Sequence, residues 1–325
     1  MTFPTVGVSC GDPGGIGPEV VVKTLGRAGL LPEAAYVVFG DPRILEAEEG
    51  RLGIRMGARA WRPELPAEAG VFLAPVAAPE ERAALGEVTA ANGEASFRAF
   101  EAAVERARAG RLAAVVTAPV SKSAWAMAGH PFRGHTEYLA RIFPGAVMAF
   151  WSARLKVALL SHHKPLREAI AEVRSRTLLD FLRSLHNGLE RVPGGPFRML
   201  VAGLNPHAGE DGRMGREEID EIRPALNQAA AEGIPVAGPF PPDTLFLQAI
   251  GKGDEIVVAL YHDQGLIPFK LASFATGVNV TLGLPFVRTS PDHGTALDIA
   301  GKGVADPRSL EEAIRLAVAF SATGS

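Results

Sequence analysis

A single cysteine, Cys10, is all the sequence holds, so no disulfide can form within the chain. That usage suits a reducing compartment. No stretch reaches the roughly 18 uninterrupted apolar residues that a membrane span needs. Met1-Thr2-Phe3-Pro4 offers neither a basic segment nor a long apolar run, so no secretory signal is expected and a cytoplasmic location is. Charge of one sign is scarce as well: 33 basic and 36 acidic residues leave a formal net charge of −3. A nucleic-acid binder needs surplus cations to displace counterions from phosphates, which argues against that class. An anionic small molecule needs only a local basic cluster. The sequence has no fixed-period repeat, no low-complexity tract and no His-Glu-x-x-His helix.

What is present is ordinary globular material, 47% hydrophobic and 21% charged, over a length that suits about two domains. Short β-branched runs alternate with longer amphipathic stretches, the rhythm of a parallel α/β sheet. Strands are expected over Thr5–Ser9, Tyr36–Phe39, Ala113–Thr117, Ala146–Phe150, Val157–Leu160, Arg198–Ala202 and Ile256–Leu260. Helices are expected over Pro18–Gly29, Ala91–Arg108, Ser175–Arg191, Arg216–Glu232 and Leu310–Ala322. Domain edges are unmarked, because the Pro/Gly-rich Val192–Pro196 reads as a helix-to-strand loop. The C-terminal segment is expected to return to the N-terminal domain.

Three histidines follow three expected strands: His163 in Ser161-His162-His163-Lys164-Pro165, His207 in Asn205-Pro206-His207-Ala208-Gly209, and His262 in His262-Asp263-Gln264-Gly265. Open parallel sheets bind ligands beyond the carboxyl ends of their strands. Three imidazoles with one position left open make a catalytic zinc site. The alternative is three unrelated loop histidines, since their spacing carries no local metal signature.

Gly11-Asp12-Pro13-Gly14-Gly15-Ile16-Gly17-Pro18-Glu19 follows the first strand and reads either as a tight turn or as a binding loop at a helix N-terminus. It is not a dinucleotide fingerprint, because Val20 stands where the third glycine belongs. Gly7-Val8-Ser9-Cys10-Gly11 matches the Gly-x-Ser-x-Gly nucleophile elbow, but the glycines and proline that follow oppose the immediate helix that motif requires. His135-Thr136-Glu137 is expected to open a helix with Thr136 as its cap. Lys270, Asn279 and Arg288 are the donors a phosphate or carboxylate would need, although each taken singly reads first as a solvated surface residue. Lys270 looks the least surface-like, lying between Ile267-Pro268-Phe269 and Leu271.

Gly11–Glu19, Thr117-Ala118-Pro119-Val120-Ser121-Lys122, Gly134–Tyr138, His163-Lys164-Pro165-Leu166, Gly203–Gly209, Pro242-Asp243-Thr244-Leu245-Phe246, Tyr261–Gly265 and Ser290–Gly301 together resemble the 4-hydroxythreonine-4-phosphate dehydrogenase family. These stretches span nearly the whole chain in order. The resemblance implies two α/β domains of the isocitrate/isopropylmalate-dehydrogenase-like fold, with the active site in the cleft between them. The expected division is residues 1–130 with 275–325 as a discontinuous cofactor-binding domain, and 131–274 as a metal- and dimer-forming domain. It implies a homodimer with shared active sites and a divalent metal on His163, His207 and His262, zinc first, with magnesium or cobalt as alternatives. His162 precedes His163 where the family carries a hydroxyl or apolar residue, so His162 stands as a substitute ligand. Substrate contacts are implied at His135, Thr136, Lys270, Asn279 and Arg288. Proton transfer falls to Asp243 or Lys122, and NAD or NADP binding to His293, Gly294, Thr295 and Asp298. The implied reaction oxidises a small phosphorylated hydroxy acid. Rival readings are a paralogue acting on a four-carbon sugar-acid phosphate, a metal-free acyltransferase and a non-catalytic binding protein.

Overall fold

The computed structural model describes residues 3–65, 67–79, 84–274 and 276–321. The chain divides into two units, Met1–Ile142 with Pro285–Ser325, and Phe143–Leu284. Among the described residues, no helix is long and apolar enough to cross a membrane.

The first unit opens with β1 (Thr5–Ser9), β2 (Ala35–Gly40), β3 (Arg59–Ala60), β4 (Gly70–Pro75) and β5 (Ala114–Thr117). The second holds β6 (Val147–Trp151), β7 (Lys156–Leu159), β8 (Arg198–Ala202), β9 (Val236–Phe240), β10 (Glu255–Ala259) and β11 (Val278–Leu282), after which β12 (Val287–Pro291) rejoins the first. In the first unit the strand order is β3-β4-β2-β1-β5-β12. Every pair there is parallel, for example Val8 opposite Val38 and Val116, and Arg288 opposite Val115. Val6, Val8, Val37, Val38, Val115 and Val116 are fully buried, which is the near-continuous apolar reading of a parallel strand covered on both faces.

The second unit departs from the all-parallel expectation. Its order is β11-β6-β7-β10-β8-β9, and β6 runs antiparallel to both β11 and β7. Ser152–Leu155 is too short for the crossover that a parallel pair requires, so β6 and β7 must form a hairpin. The remaining pairs, β7 with β10, β10 with β8 and β8 with β9, are parallel. Their shared core joins Met148, Phe150, Val157, Leu159, Leu200, Val257 and Phe269.

Several expected elements change shape. Pro18–Gly29 is a helix over Gly17–Leu25 followed by a single 3-10 turn, Ala28–Leu30. Arg216–Glu232 is a π-helical turn, Glu218–Ile222, running directly into the helix Arg223–Ala231 that carries Pro224 near its start. The last helix is Arg308–Ser321, and the expected end at Ala322 lies outside the described residues.

The glycine-rich loop is a packing hub inside the first unit. A Cβ on Gly14 would sit 2.5 Å from the Glu87 carbonyl, and one on Gly15 would sit 2.5 Å from the Thr295 carbonyl. Ile16 N–H donates to that same Thr295 oxygen at 2.9 Å. The glycines therefore let Thr295 and the 84–92 segment close on the loop. Cys10 lies beneath it, and burial pushes its thiol up to about 12, where thiolate chemistry is suppressed.

Candidate active site

In the second unit, the carboxyl ends of β7 and β10 open into a pocket of about 390 Å³. Its wall includes Ser161, His162, His163, Lys164, Tyr261 and His262. The rings of His163 and His262 lie 5.7 Å apart, and those of His162 and His163 lie 5.6 Å apart. His262 is the first residue of the helix His262–Ser273, and its Nδ1 meets Asp263 Oδ1 at 2.6 Å. A carboxylate on Nδ1 holds the proton there and leaves Nε2 as the lone-pair donor a metal uses. His163 has a positive φ of 28°, an uncommon backbone state for a non-glycine residue.

His207 follows β8 under stronger constraint. His207, Ala208, Gly209, Glu210 and Asp211 all have positive φ, at 53°, 53°, 82°, 42° and 54°. Left-handed geometry costs an L-residue about 1–2 kcal/mol, and such strain persists only where the surroundings enforce it. His207 Nδ1 lies 3.0 Å from Glu210 Oε1, the same carboxylate-on-Nδ1 arrangement as at His262. Among the described residues, no group of three or more His, Cys, Asp or Glu stands close enough together to hold a metal ion. The donor chemistry thus fits a divalent cation at the His163–His262 pair, and within one chain His207 does not complete the set.

In the first unit, His135, Arg288 and Thr117 form a second cluster. Arg288, on β12, is 2% exposed, and its Nη2 donates to Thr117 Oγ1 at 2.7 Å. Thr117 Oγ1 lies 3.5 Å from His135 Nδ1. The guanidinium fills one lone pair of the Thr117 oxygen and leaves the hydroxyl proton available to His135 Nδ1, the tautomer in which the imidazole proton sits on Nε2. That Nε2 is buried without a hydrogen-bond partner. The His135 ring packs edge-on against Phe100 and Trp125, with centroids at 4.5 and 5.3 Å. Burial first, and then the Arg288 charge, hold His135 well below its ordinary pKa, so it is a neutral donor at neutral pH. Burial also pushes the Arg288 guanidinium down to about 9, a cation whose desolvation an anion would offset.

The other sequence candidates are placed as follows. Thr136 lies inside the helix His135–Ile142 and does not cap it. Lys122 opens the helix Lys122–Met127, capped by Ser121, and its Cε comes within 3.7 Å of where a Cβ on Gly134 would stand. In the second unit, Asp243 is exposed in the first turn of Pro242–Ala249, and Asn279 is half-buried on β11. Lys270 is exposed, contrary to the reading of its apolar neighbours, because Leu271 beside it also faces outward, 84% exposed. His293 and Gly294 are exposed, Thr295 is fixed by the glycine-rich loop, and Asp298 is exposed in the 3-10 turn Leu297–Ile299. Thr117 was missed as a functional residue. The signal for it was its place directly before Ala118-Pro119 at the end of β5, the same kind of strand end that drew attention to the histidines.

Comparison with known proteins bears on what these groups do together. The sequence matches the family of pyridoxal phosphate biosynthetic protein PdxA over residues 32–317. A protein named 4-hydroxythreonine-4-phosphate dehydrogenase, from Chromobacterium violaceum, is 48% identical over 97% of this chain and 96% of its own length. The crystal structure of 4-hydroxythreonine-4-phosphate dehydrogenase from Klebsiella pneumoniae is 38% identical, with 99% of this chain and 98% of that one covered at a TM-score of 0.85. That from Burkholderia phymatum is 37% identical, with 98% and 99% covered at a TM-score of 0.83. Sequence and fold agree across nearly the whole chain, and the chain belongs to the pyridoxal phosphate biosynthetic protein PdxA family.

Proposed function

We propose that this chain oxidises 4-phosphohydroxy-L-threonine at C3 in the cytoplasm, with NAD or NADP as acceptor, in pyridoxal 5′-phosphate biosynthesis. The observation that carries the reading is the His163–His262 pair in the strand-end pocket, in a chain with relatives of that name over nearly its full length. Arg288 and His135, with Thr136, Lys270 and Asn279, bind the substrate's anionic and polar ends. His135 donates from Nε2, since Thr117 occupies its other nitrogen. His163, His207 and His262 would hold a divalent metal, zinc first, which would supply Lewis acidity for the oxidation. The C3 hydroxyl proton passes to Asp243 or Lys122 as hydride leaves C3 for the nicotinamide ring. The product, 2-amino-3-oxo-4-phosphonooxybutanoate, loses CO2 as its C1–C2 bond breaks into the ketone, and protonation at C2 gives 3-amino-2-oxopropyl phosphate. Comparing kcat/KM for 4-phosphohydroxy-L-threonine and D-threonate 4-phosphate tests the substrate. A preference for the sugar-acid phosphate would reject the assignment.

The functional unit is a homodimer. Ile267, Leu271 and Phe274 are 59%, 84% and 85% exposed, at helical spacing along His262–Ser273 and its C-cap. Covering three large apolar side chains recovers roughly 1.5–3 kcal/mol each, which suits a second copy of the chain. Leu271→Asp is expected to give a folded monomer with little turnover. Sedimentation and activity measured on the same sample check this, and a fully active monomer would reject a shared site.

Cofactor choice rests on Asp298. A carboxylate accepts a hydrogen bond from a free ribose 2′-hydroxyl and repels the 2′-phosphate of NADP. The enzyme should therefore prefer NAD, and Asp298→Asn should narrow the gap, chiefly by improving NADP. Unchanged kcat/KM ratios in the variant would remove Asp298 from the site.

A further inference from the structure

Behind the strained His207 loop lies a carboxylate that the reaction does not use. Glu218 is the first residue of the π-helical turn and is 1% exposed. Its Oε1 accepts from the backbone N–H groups of Leu204 and Asn205 at 2.8 and 2.7 Å. Its Oε2 accepts from Asn205 Nδ2 at 2.9 Å. A Cβ on Gly209 would lie 2.7 Å from Oε2, so the loop's glycine folds directly onto the carboxylate. The three donors belong to the residues that lead from β8 into the left-handed stretch. A further link ties this strand end to that of β10: Gln264 Oε1 accepts from Leu260 N–H at 2.7 Å, and its Nε2 donates to the Gly203 carbonyl at 2.8 Å.

We infer that Glu218 is a positioning residue, the clamp that fixes the His207 loop in the geometry its imidazole needs to bind the metal. The inference rests on His207 being a metal ligand. Its physical basis is that every hydrogen bond of this carboxylate ends on residues 204 and 205, immediately before the stretch whose backbone would relax if released. An amide cannot replace it. Glu218→Gln keeps the shape but sets its NH₂ either against the two backbone N–H groups or against Asn205 Nδ2, and turning Asn205 to receive it sacrifices that residue's bond to Glu217. A π-helical turn beginning at such a residue is consistent with a local distortion retained for positioning.

The test is a double-mutant cycle read by metal affinity. Zinc affinity is measured by chelator competition, and the Co²⁺ visible spectrum is recorded, for wild type, Glu218→Gln, His207→Ala and the pair. Glu218→Gln should weaken zinc binding about 10- to 100-fold and alter the Co²⁺ bands. In the His207→Ala background it should change zinc affinity less than about twofold, because nothing remains to position. Wild-type zinc affinity in Glu218→Gln, or an equal loss in both backgrounds, overturns the inference. If His207→Ala itself binds zinc normally, the ligand reading fails instead, and amide exchange over residues 205–211 judges the clamp. Faster exchange in Glu218→Gln upholds it and unchanged exchange rejects it. Should Glu218→Gln fail to fold, Asn205→Ala, which removes one donor, is expected to weaken zinc in the same direction, and normal binding there counts against the clamp.

Discussion

His163→Ala and His207→Ala proteins should each be nearly inactive alone and regain turnover when their subunits are exchanged. Lewis-acid stabilisation is worth several kcal/mol, and each 1.36 kcal/mol is tenfold in rate, so each single variant should lose on the order of 10³-fold or more. Recovery is what the proposed shared site of a homodimer predicts. One chain brings His163 and His262 together and leaves the described residues without a three-ligand set. If His207 of the partner subunit completes the site, a mixed dimer has one site with both defects and one with none. Such a dimer should reach up to half the wild-type rate. No recovery after exchange would mean that all three ligands come from one chain. His162→Ala is the control and should be mild; a severe loss there would move the ligand by one residue.

The second large effect is expected at Arg288. Arg288→Lys should raise the Michaelis constant for the phosphorylated substrate about 10- to 100-fold, corresponding to roughly 1.4–2.7 kcal/mol of lost binding. The guanidinium has enough N–H groups to hold Thr117 Oγ1 and present a fork to an anion together, whereas an ammonium on a shorter reach cannot. Burial makes the loss steeper, because the side chain is 2% exposed and water cannot replace the missing bonds. Thr117→Val should produce a smaller effect in the same direction by releasing both Arg288 and His135, with Thr117→Ser close to wild type. Steady-state kinetics across the three variants check the series, and an unchanged Michaelis constant in Arg288→Lys would take the anion elsewhere.

The two-unit α/β architecture was legible because buried parallel strands are short and apolar on both faces, as at Val6, Val8, Val115 and Val116. The strand-end histidines were legible for the same reason: once β7, β8 and β10 are placed, the residues after them are placed too. β12 was not, because Val287–Pro291 carries arginine, threonine and serine yet is buried from Arg288 to Pro291, with Arg288 bonded to Thr117 and Thr289 to the Ala313 carbonyl. β9 was hidden by Gly238 and Pro239, which its position at the sheet edge tolerates. The antiparallel β6 needed loop length rather than composition to be read. Lys270 misled because apolar neighbours suggest burial in sequence, whereas on the helix His262–Ser273 Ile267 and Leu271 face outward while Phe269 packs into the core. The glycine-rich loop looked equally like a ligand cradle, and only the closeness of Thr295 and Glu87 reveals what its glycines accommodate.

The central claim is that strand-end histidines hold a metal on which dehydrogenation depends. NADH formation from 4-phosphohydroxy-L-threonine, measured at 340 nm in the presence of NAD, tests it when the protein is assayed as purified, after chelation, and after zinc is restored. The account predicts turnover in the first sample, loss in the second and recovery in the third. Undiminished turnover in protein verified to be metal-free would contradict it.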